Sequence, residues 1–150
     1  MLLLIGGAGA ARATAVDQAT ACTSASVVVS VGWDRERAEK VSGVVTRLRY
    51  PASLTVPSDP SDRSAKARVE LLTGTSGGLF DALDKPGDTG ELLNIGLITA
   101  GIGAGPFARI RFDCRPGAAV PAASDFGCVA DVADQAGTVP ATCSVTVAAN

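Results

Sequence analysis

Gly74-Thr75-Ser76-Gly77-Gly78 spells the G-x-S-x-G of a nucleophile elbow, in which a serine on a tight strand-to-helix turn attacks a carbonyl. A serine hydroxyl needs a neighbouring base to become a useful nucleophile, and that base is normally histidine. The chain has no histidine, so the pentad reads as a flexible connection between strands. The same lack removes the commonest general base and the commonest metal ligand. A second chemistry is suggested by Asp81, Asp84, Asp88 and Glu91, four carboxylates within eleven residues. Paired carboxylates run glycoside hydrolysis, and clustered oxygens hold calcium. The D-x-[DN]-x-[DN]-G spacing of an EF-hand loop is not met, so these residues, with Asp59 and Asp62, read as solvated loop charges. Gly101-Ile102-Gly103-Ala104-Gly105-Pro106 has the glycine density of a phosphate cradle, but the lysine and the following helix N-terminus that such loops use are missing. It reads as a glycine-rich strand connection. No catalytic residue, metal ligand or cofactor site is expected.

Four cysteines carry the remaining chemistry: Cys22, Cys114, Cys128 and Cys143. No C-x-x-C pair supports zinc, and an even count in an exported chain points to two disulfides. Cys128 shares the apolar phase of Phe126 and Val132, and Cys143 that of Val145 and Val147, which favours Cys128–Cys143 and leaves Cys22–Cys114. Closing the shorter loop, of about 15 residues, contributes about 3 kcal/mol in the chain-entropy picture. Export itself is read from residues 1–15: Leu2-Leu3-Leu4-Ile5 opens a short apolar run and Ala13-Thr14-Ala15 offers an A-x-A cleavage site. The basic stretch that normally precedes such a run is missing, as in a truncated signal. That run is too short to span a bilayer, and no membrane span is expected.

The elements that would carry these residues are strands. Val27, Val29, Val31 and Trp33 share one face, and Val44, Thr46, Leu48 and Tyr50 alternate with Val45, Arg47 and Arg49. Lys66 to Leu72 alternates as a further strand. Glu91 to Thr99 is nearly all apolar, as in a central strand with one face buried and the other covered or bound. Ala108, Ile110 and Phe112 face inward while Arg109 and Arg111 face out, and two strands near Phe126–Val132 and Thr142–Ala148 finish the chain. The one helix candidate is Leu79–Leu83. A chain of 150 residues with such patterning and Gly/Pro-rich connections is one all-β domain over residues 16–150. The expected fold is a two-sheet antiparallel sandwich of jelly-roll type with eight or nine strands.

A formal charge of −2, spread in both signs, gives no nucleic-acid footprint. Trp33 and Tyr50 follow the apolar phase of their strands, so they read as core residues rather than a sugar-stacking platform. Arg47, Arg49, Arg109 and Arg111 face outward, and arginine is enriched at interfaces.

Two blocks together resemble the cohesin family of bacterial extracellular modules. The first is Val27-Val28-Val29-Ser30-Val31, then Val41 to Tyr50 and Pro51-Ala52-Ser53-Leu54-Thr55-Val56. The second is Gly90-Glu91-Leu92-Leu93-Asn94-Ile95-Gly96-Leu97 followed by Gly105-Pro106-Phe107-Ala108-Arg109-Ile110-Arg111-Phe112. The resemblance spans roughly Val27 to Phe112 and implies a jelly-roll sandwich that docks another protein, a dockerin-like module or a cell-surface component, on one flat sheet face. Gly43 and Val45 stand where cohesins carry polar Asn and Asp, and Tyr50 runs directly into Pro51, which points to a drifted specificity. Strand phase and the resemblance together place the contact face at Val45, Arg47, Arg49, Leu92 and Asn94. The expected function is thus a secreted, non-catalytic binding module, with a carbohydrate-binding module that retains polysaccharide as the alternative.

Overall fold

The computed structural model describes residues 21–73, 77–87 and 90–149. The expected secretion signal, Gly74 to Ser76 of the elbow-like pentad and Asp88 lie outside them. Ten strands form in chain order: β1 (Ser24–Trp33), β2 (Lys40–Tyr50), β3 (Leu54–Thr55), β4 (Val69–Leu71), β5 (Leu79–Gly87), β6 (Gly90–Gly103), β7 (Gly105–Cys114), β8 (Gly127–Asp134), β9 (Gly137–Val139) and β10 (Ala141–Ala149). They make two antiparallel five-stranded sheets, one ordered β10-β1-β7-β3 with β4 also on β7, the other β5-β6-β2-β8-β9. The protein is an all-β sandwich. The strand count reaches ten because β3, β4 and β9 are fragments of two or three residues at sheet margins.

Period-two patterning builds the core directly. Ala25, Val27, Val29 and Val31 of β1 are buried, as are Val44, Thr46, Leu48 and Tyr50 of β2 and Leu93, Ile95 and Leu97 of β6. Each such aliphatic side chain contributes about 1.5–3 kcal/mol when fully buried. On β7, Ile110 and Phe112 take the expected phase, but Phe107 and Ala108 are both fully buried. A bulge explains this: Val29 pairs with Ala108 and Ser30 with Pro106, so Phe107 is the extra residue and turns inward out of phase. Gly101 and Gly105 hold φ of 80° and 126°, which an L side chain rarely adopts, where the chain leaves one sheet for the other. The glycine-rich segment is a strand connection.

Two local expectations are corrected. Leu79–Leu83 is not a helix; it opens β5, which pairs with β6 residue by residue from Leu79↔Ile98 to Gly87↔Gly90. Five residues with no flanking cap cannot nucleate a helix against a full ladder of inter-strand bonds. Lys66 to Leu72 is not one strand either. Lys66–Arg68 is a 3-10 turn, and pairing begins only at Val69. Ala65 is buried, its N–H donates to Ala82 O, and Arg68 turns to make a two-pronged contact with Asp113, which pulls the backbone out of the extended path.

Disulfides join Cys22 to Cys114 and Cys128 to Cys143. The second links β8 and β10, which belong to opposite sheets rather than lying side by side in one. It pins the layers together at their margin. Within the dry interior, Thr46 is fully buried and its Oγ1 has no hydrogen-bond partner among the described residues. An unpaired buried hydroxyl costs about 1–3 kcal/mol. Thr46→Val removes that hydroxyl at nearly constant shape, and the urea midpoint is expected to rise by an amount worth about 1 kcal/mol with no change in slope.

Candidate partner-binding face

The outward phase of β2 presents Gly43, Val45, Arg47 and Arg49 at the centre of its sheet. Antiparallel register aligns them with Ile98, Gly96, Asn94 and Leu92 of β6, and those in turn with Leu79, Asp81, Leu83 and Lys85 of β5. On the other side they meet Ala133, Asp131, Val129 and Gly127 of β8. Val45, Arg47, Arg49, Leu92 and Asn94 therefore share one surface, with Arg47 directly opposite Asn94 and Arg49 opposite Leu92. Arg109 and Arg111 belong to the outer face of the other sheet, where Arg109 donates to Glu70 at 2.7 Å.

The surface has two halves of different character. At one end Leu79, Ile98 and Val45 are 76%, 62% and 42% exposed, and Val129 is 53% exposed nearby. Gly96 lies between them, its missing Cβ only 3.8 Å from Val45 Cγ2, and leaves a shallow hollow of about 350 Å³ bounded by Val45, Leu79, Asp81, Ile98 and Lys66. Among the described residues, four of the five exposed large apolar side chains lie on this one face; the fifth, Val120, is in a loop. Large aliphatic groups collected on one sheet face mark a contact surface more often than scattered ones do.

The other half is cationic. Arg47 is paired with Asp131 at 2.9 Å, a solvent-exposed contact that contributes little to stability. Arg49 and Lys85 have no ion pair among the described residues, so their charge is available to an incoming group. Between the halves, the Asn94 Oδ1 is buried yet accepts no hydrogen bond among the described residues. Like the Thr46 hydroxyl, a buried acceptor without a partner costs stability.

Other groups singled out by their chemistry lie elsewhere. Of the four clustered carboxylates, Asp81 faces outward while Asp84 and Glu91 meet at the sandwich interior beneath Tyr50. The Tyr50 hydroxyl donates to Asp84 Oδ1 at 2.6 Å, with Glu91 Oε2 at 3.2 Å. This latch joins the end of β2 to β5 and β6. Burial first, then the hydrogen bond and charge of Asp84 and the weaker pull of Glu91, push the phenol far above its ordinary value. Asp59 is an exposed turn residue whose carboxylate accepts from the Ser61 hydroxyl and backbone N–H, which hold it below the usual range. Asp62 accepts from the Ser64 N–H in the same loop. Trp33 is half-buried against the core and donates from Nε1 to Ala38 O. Among the described residues no three His, Cys, Asp or Glu side chains converge.

Strand phase and the resemblance together gave Val45, Arg47, Arg49, Leu92 and Asn94, which share this surface, but missed Leu79, Ile98 and Val129. The signal was present in β6, whose nearly unbroken apolar run puts aliphatic groups on both phases. Compared with known protein families, curated proteins and solved structures, the chain matches none.

Tyr50 is the chain's single tyrosine, so phenolate absorbance reports on it alone. The unfolded chain ionises it near the ordinary value of about 10. The folded chain holds the proton, so this contribution is intact below about pH 10 and is lost as pH rises beyond it. Phenolate absorbance is expected to appear together with unfolding rather than before it, and in Tyr50→Phe the decline of thermal midpoint above about pH 10 is expected to flatten.

Proposed function

We propose that the chain is a secreted, non-catalytic binding module of cohesin-like form that attaches to another protein or a cell-surface component through the outer face of β5-β6-β2-β8. The observation that carries this reading is the collection of Leu79, Ile98, Val45 and Val129 on one sheet surface beside Arg49 and Lys85, which have no ion pair among the described residues. Such a surface suits a partner that inserts an apolar side chain over Gly96 and sets a carboxylate near Arg49. Val45 and Arg49 are four residues apart on β2, about 13 Å at the usual rise per residue. A dockerin-like module with an apolar anchor and an acidic neighbour at that spacing fits this description. Exposed Val45, with half-buried Gly43 on the same face, favours a more apolar partner surface than polar residues there would.

Two disulfides suit an oxidising, extracellular setting. No helix among the described residues is long and apolar enough to cross a membrane. The carbohydrate-binding alternative asks for an exposed aromatic platform. Trp33, Tyr50, Phe80, Phe107, Phe112 and Phe126 are each buried or half-buried, so the observations favour protein over polysaccharide.

The test is cross-linking capture of partners from the native exterior by the immobilised domain. Val45→Glu combined with Ile98→Glu is expected to weaken capture roughly tenfold or more while leaving the thermal midpoint nearly unchanged, since both side chains are exposed. Arg111→Glu, on the opposite sheet, should capture normally. Equal capture by the wild type and the double variant would sink the assignment of this face. Polysaccharide retention that disappears in Trp33→Ala would move the reading to the carbohydrate class.

A further inference from the structure

The two sheets end in margins that are guarded very unequally. β5 carries Asp81, Asp84, Lys85 and Pro86, and its free flank is covered: Ala65 N–H donates to Ala82 O, Asp84 N–H donates to Arg63 O, and Ser64 bridges Leu83. β9, β3 and β4 are only two or three residues long, and Pro140 closes β9. The stretch of β8 beyond β9, Gly127 to Asp131, is short and carries Asp131. These are the devices by which sheet margins resist pairing with another chain.

β10 has none of them. Its nine residues, Ala141–Ala149, contain no charge and no proline. It runs in unbroken register along β1, from Trp33↔Ala141 to Ala25↔Ala149. Among the described residues no backbone hydrogen bond reaches its other flank. A second observation points the same way. Val27, Val29 and Val31 of β1 are buried to within 3% of completeness, yet their neighbours Val147, Val145 and Cys143 on β10 are only half-buried. Apolar surface is therefore left uncovered at the rim beside the free flank. The Cys128–Cys143 disulfide fastens β10 to the facing sheet, so the open edge is held in an extended, pairing-ready shape.

We infer that β10 is a self-association edge, on which a second copy of this chain pairs its own β10 antiparallel about a two-fold axis. The strand is suited to meet itself. With the axis at Val145, Ser144 lies opposite Thr146 of the second copy and Cys143 opposite its Val147, so outward residues meet outward ones and inward meet inward. No charge faces a like charge, because the strand has none. Ser–Thr and β-branched pairs are favourable across strands. The union makes one continuous sheet from two five-stranded ones and covers the half-exposed Val145 and Val147 of both copies. The two binding faces, on the opposite sheets, stay free, so a dimer would present the proposed partner face twice. The inference does not depend on that face having a partner.

Sedimentation velocity of the chain across micromolar to millimolar concentration is the test, with amide exchange of β10 followed in parallel. The expected result is a concentration-dependent dimer and slowing of β10 amide exchange as the dimer fills. Ser144→Lys combined with Thr146→Lys, both exposed, is expected to weaken dimerisation roughly tenfold or more with the fold intact, by placing like charges across the junction. Val45→Glu with Ile98→Glu should dimerise normally, which separates this edge from the partner face. A monomer at all concentrations, a dimer untouched by the lysines, or protection in the monomer of those β10 amides that point away from β1 would each overturn the inference. The exchange measurement on the unmodified chain decides the matter even where the lysine variant does not fold.

Discussion

The register of β2 is the constraint on which both the interior and the surface depend. Val44, Leu48 and Tyr50 enter the core while Val45, Arg47 and Arg49 leave it, and a slip of one residue would exchange the two sets. Because β2 is flanked by β6 and β8, such a slip would break two ladders at once. The end of the strand is fixed further by Tyr50, whose hydroxyl reaches Asp84 on β5 and Glu91 on β6 while its ring packs on Phe112 of the other sheet. One side chain thus ties three strands of one sheet to the facing layer. The two carboxylates that resemble a hydrolytic pair are engaged by that latch.

The core was readable from the chain wherever alternation was clean. β1, β2 and the outer half of β7 fall in the expected phase because a half-buried strand leaves a period-two record. The outward placement of Val45, Arg47 and Arg49 was legible for the same reason, whereas Leu92 and Asn94 came from strand phase only together with the family resemblance, since the nearly all-apolar β6 leaves little alternation to read. The failures have particular causes. Leu79–Leu83 is short and ambiguous in pattern, and its strand state comes from pairing with residues that follow it across the β5–β6 turn. Phe107 breaks phase at a bulge that only its neighbour on β1 reveals. The meeting of Asp84 with Tyr50 joins residues 34 apart in sequence, and no local pattern encodes such a contact.

The two exposed features of the sandwich solve opposite problems. On the face, β6 and β2 are paired along both sides and the distinctive groups are side chains: aliphatic groups at one end, Arg49 and Lys85 without ion pairs among the described residues at the other, and between them an amide oxygen with no partner among those residues. In the proposed role such a surface would discriminate, because a partner lacking either half leaves a charge or an apolar patch poorly matched. At the edge, side chains are small and neutral and the backbone itself is the ligand, which favours affinity over choice. An edge of that kind is a hazard unless its partner is abundant and identical in shape. The other margins carry charge, proline or a covering segment, so β10 is unguarded by contrast with its own relatives in the fold rather than by any general looseness of the chain.

Joining these features gives a physical reason for the placement of the Cys128–Cys143 bond. An edge strand with neighbours on one side only is the element most ready to peel away, since removing it breaks one ladder rather than two. A covalent link from Cys143, the third residue of β10, to the facing sheet opposes that motion at the strand's start without occupying the flank. Cys22–Cys114 acts at the other end of β1, where it secures the chain just before the strand on which β10 lies. The longer loop, spanning 92 residues, restrains the unfolded chain more than the loop of 15. The shorter bond has the more local task of keeping β10 in plane. The edge is thus held by one ladder and one covalent bond, and that bond ends at Cys128 on β8, a strand of the sheet that carries the face.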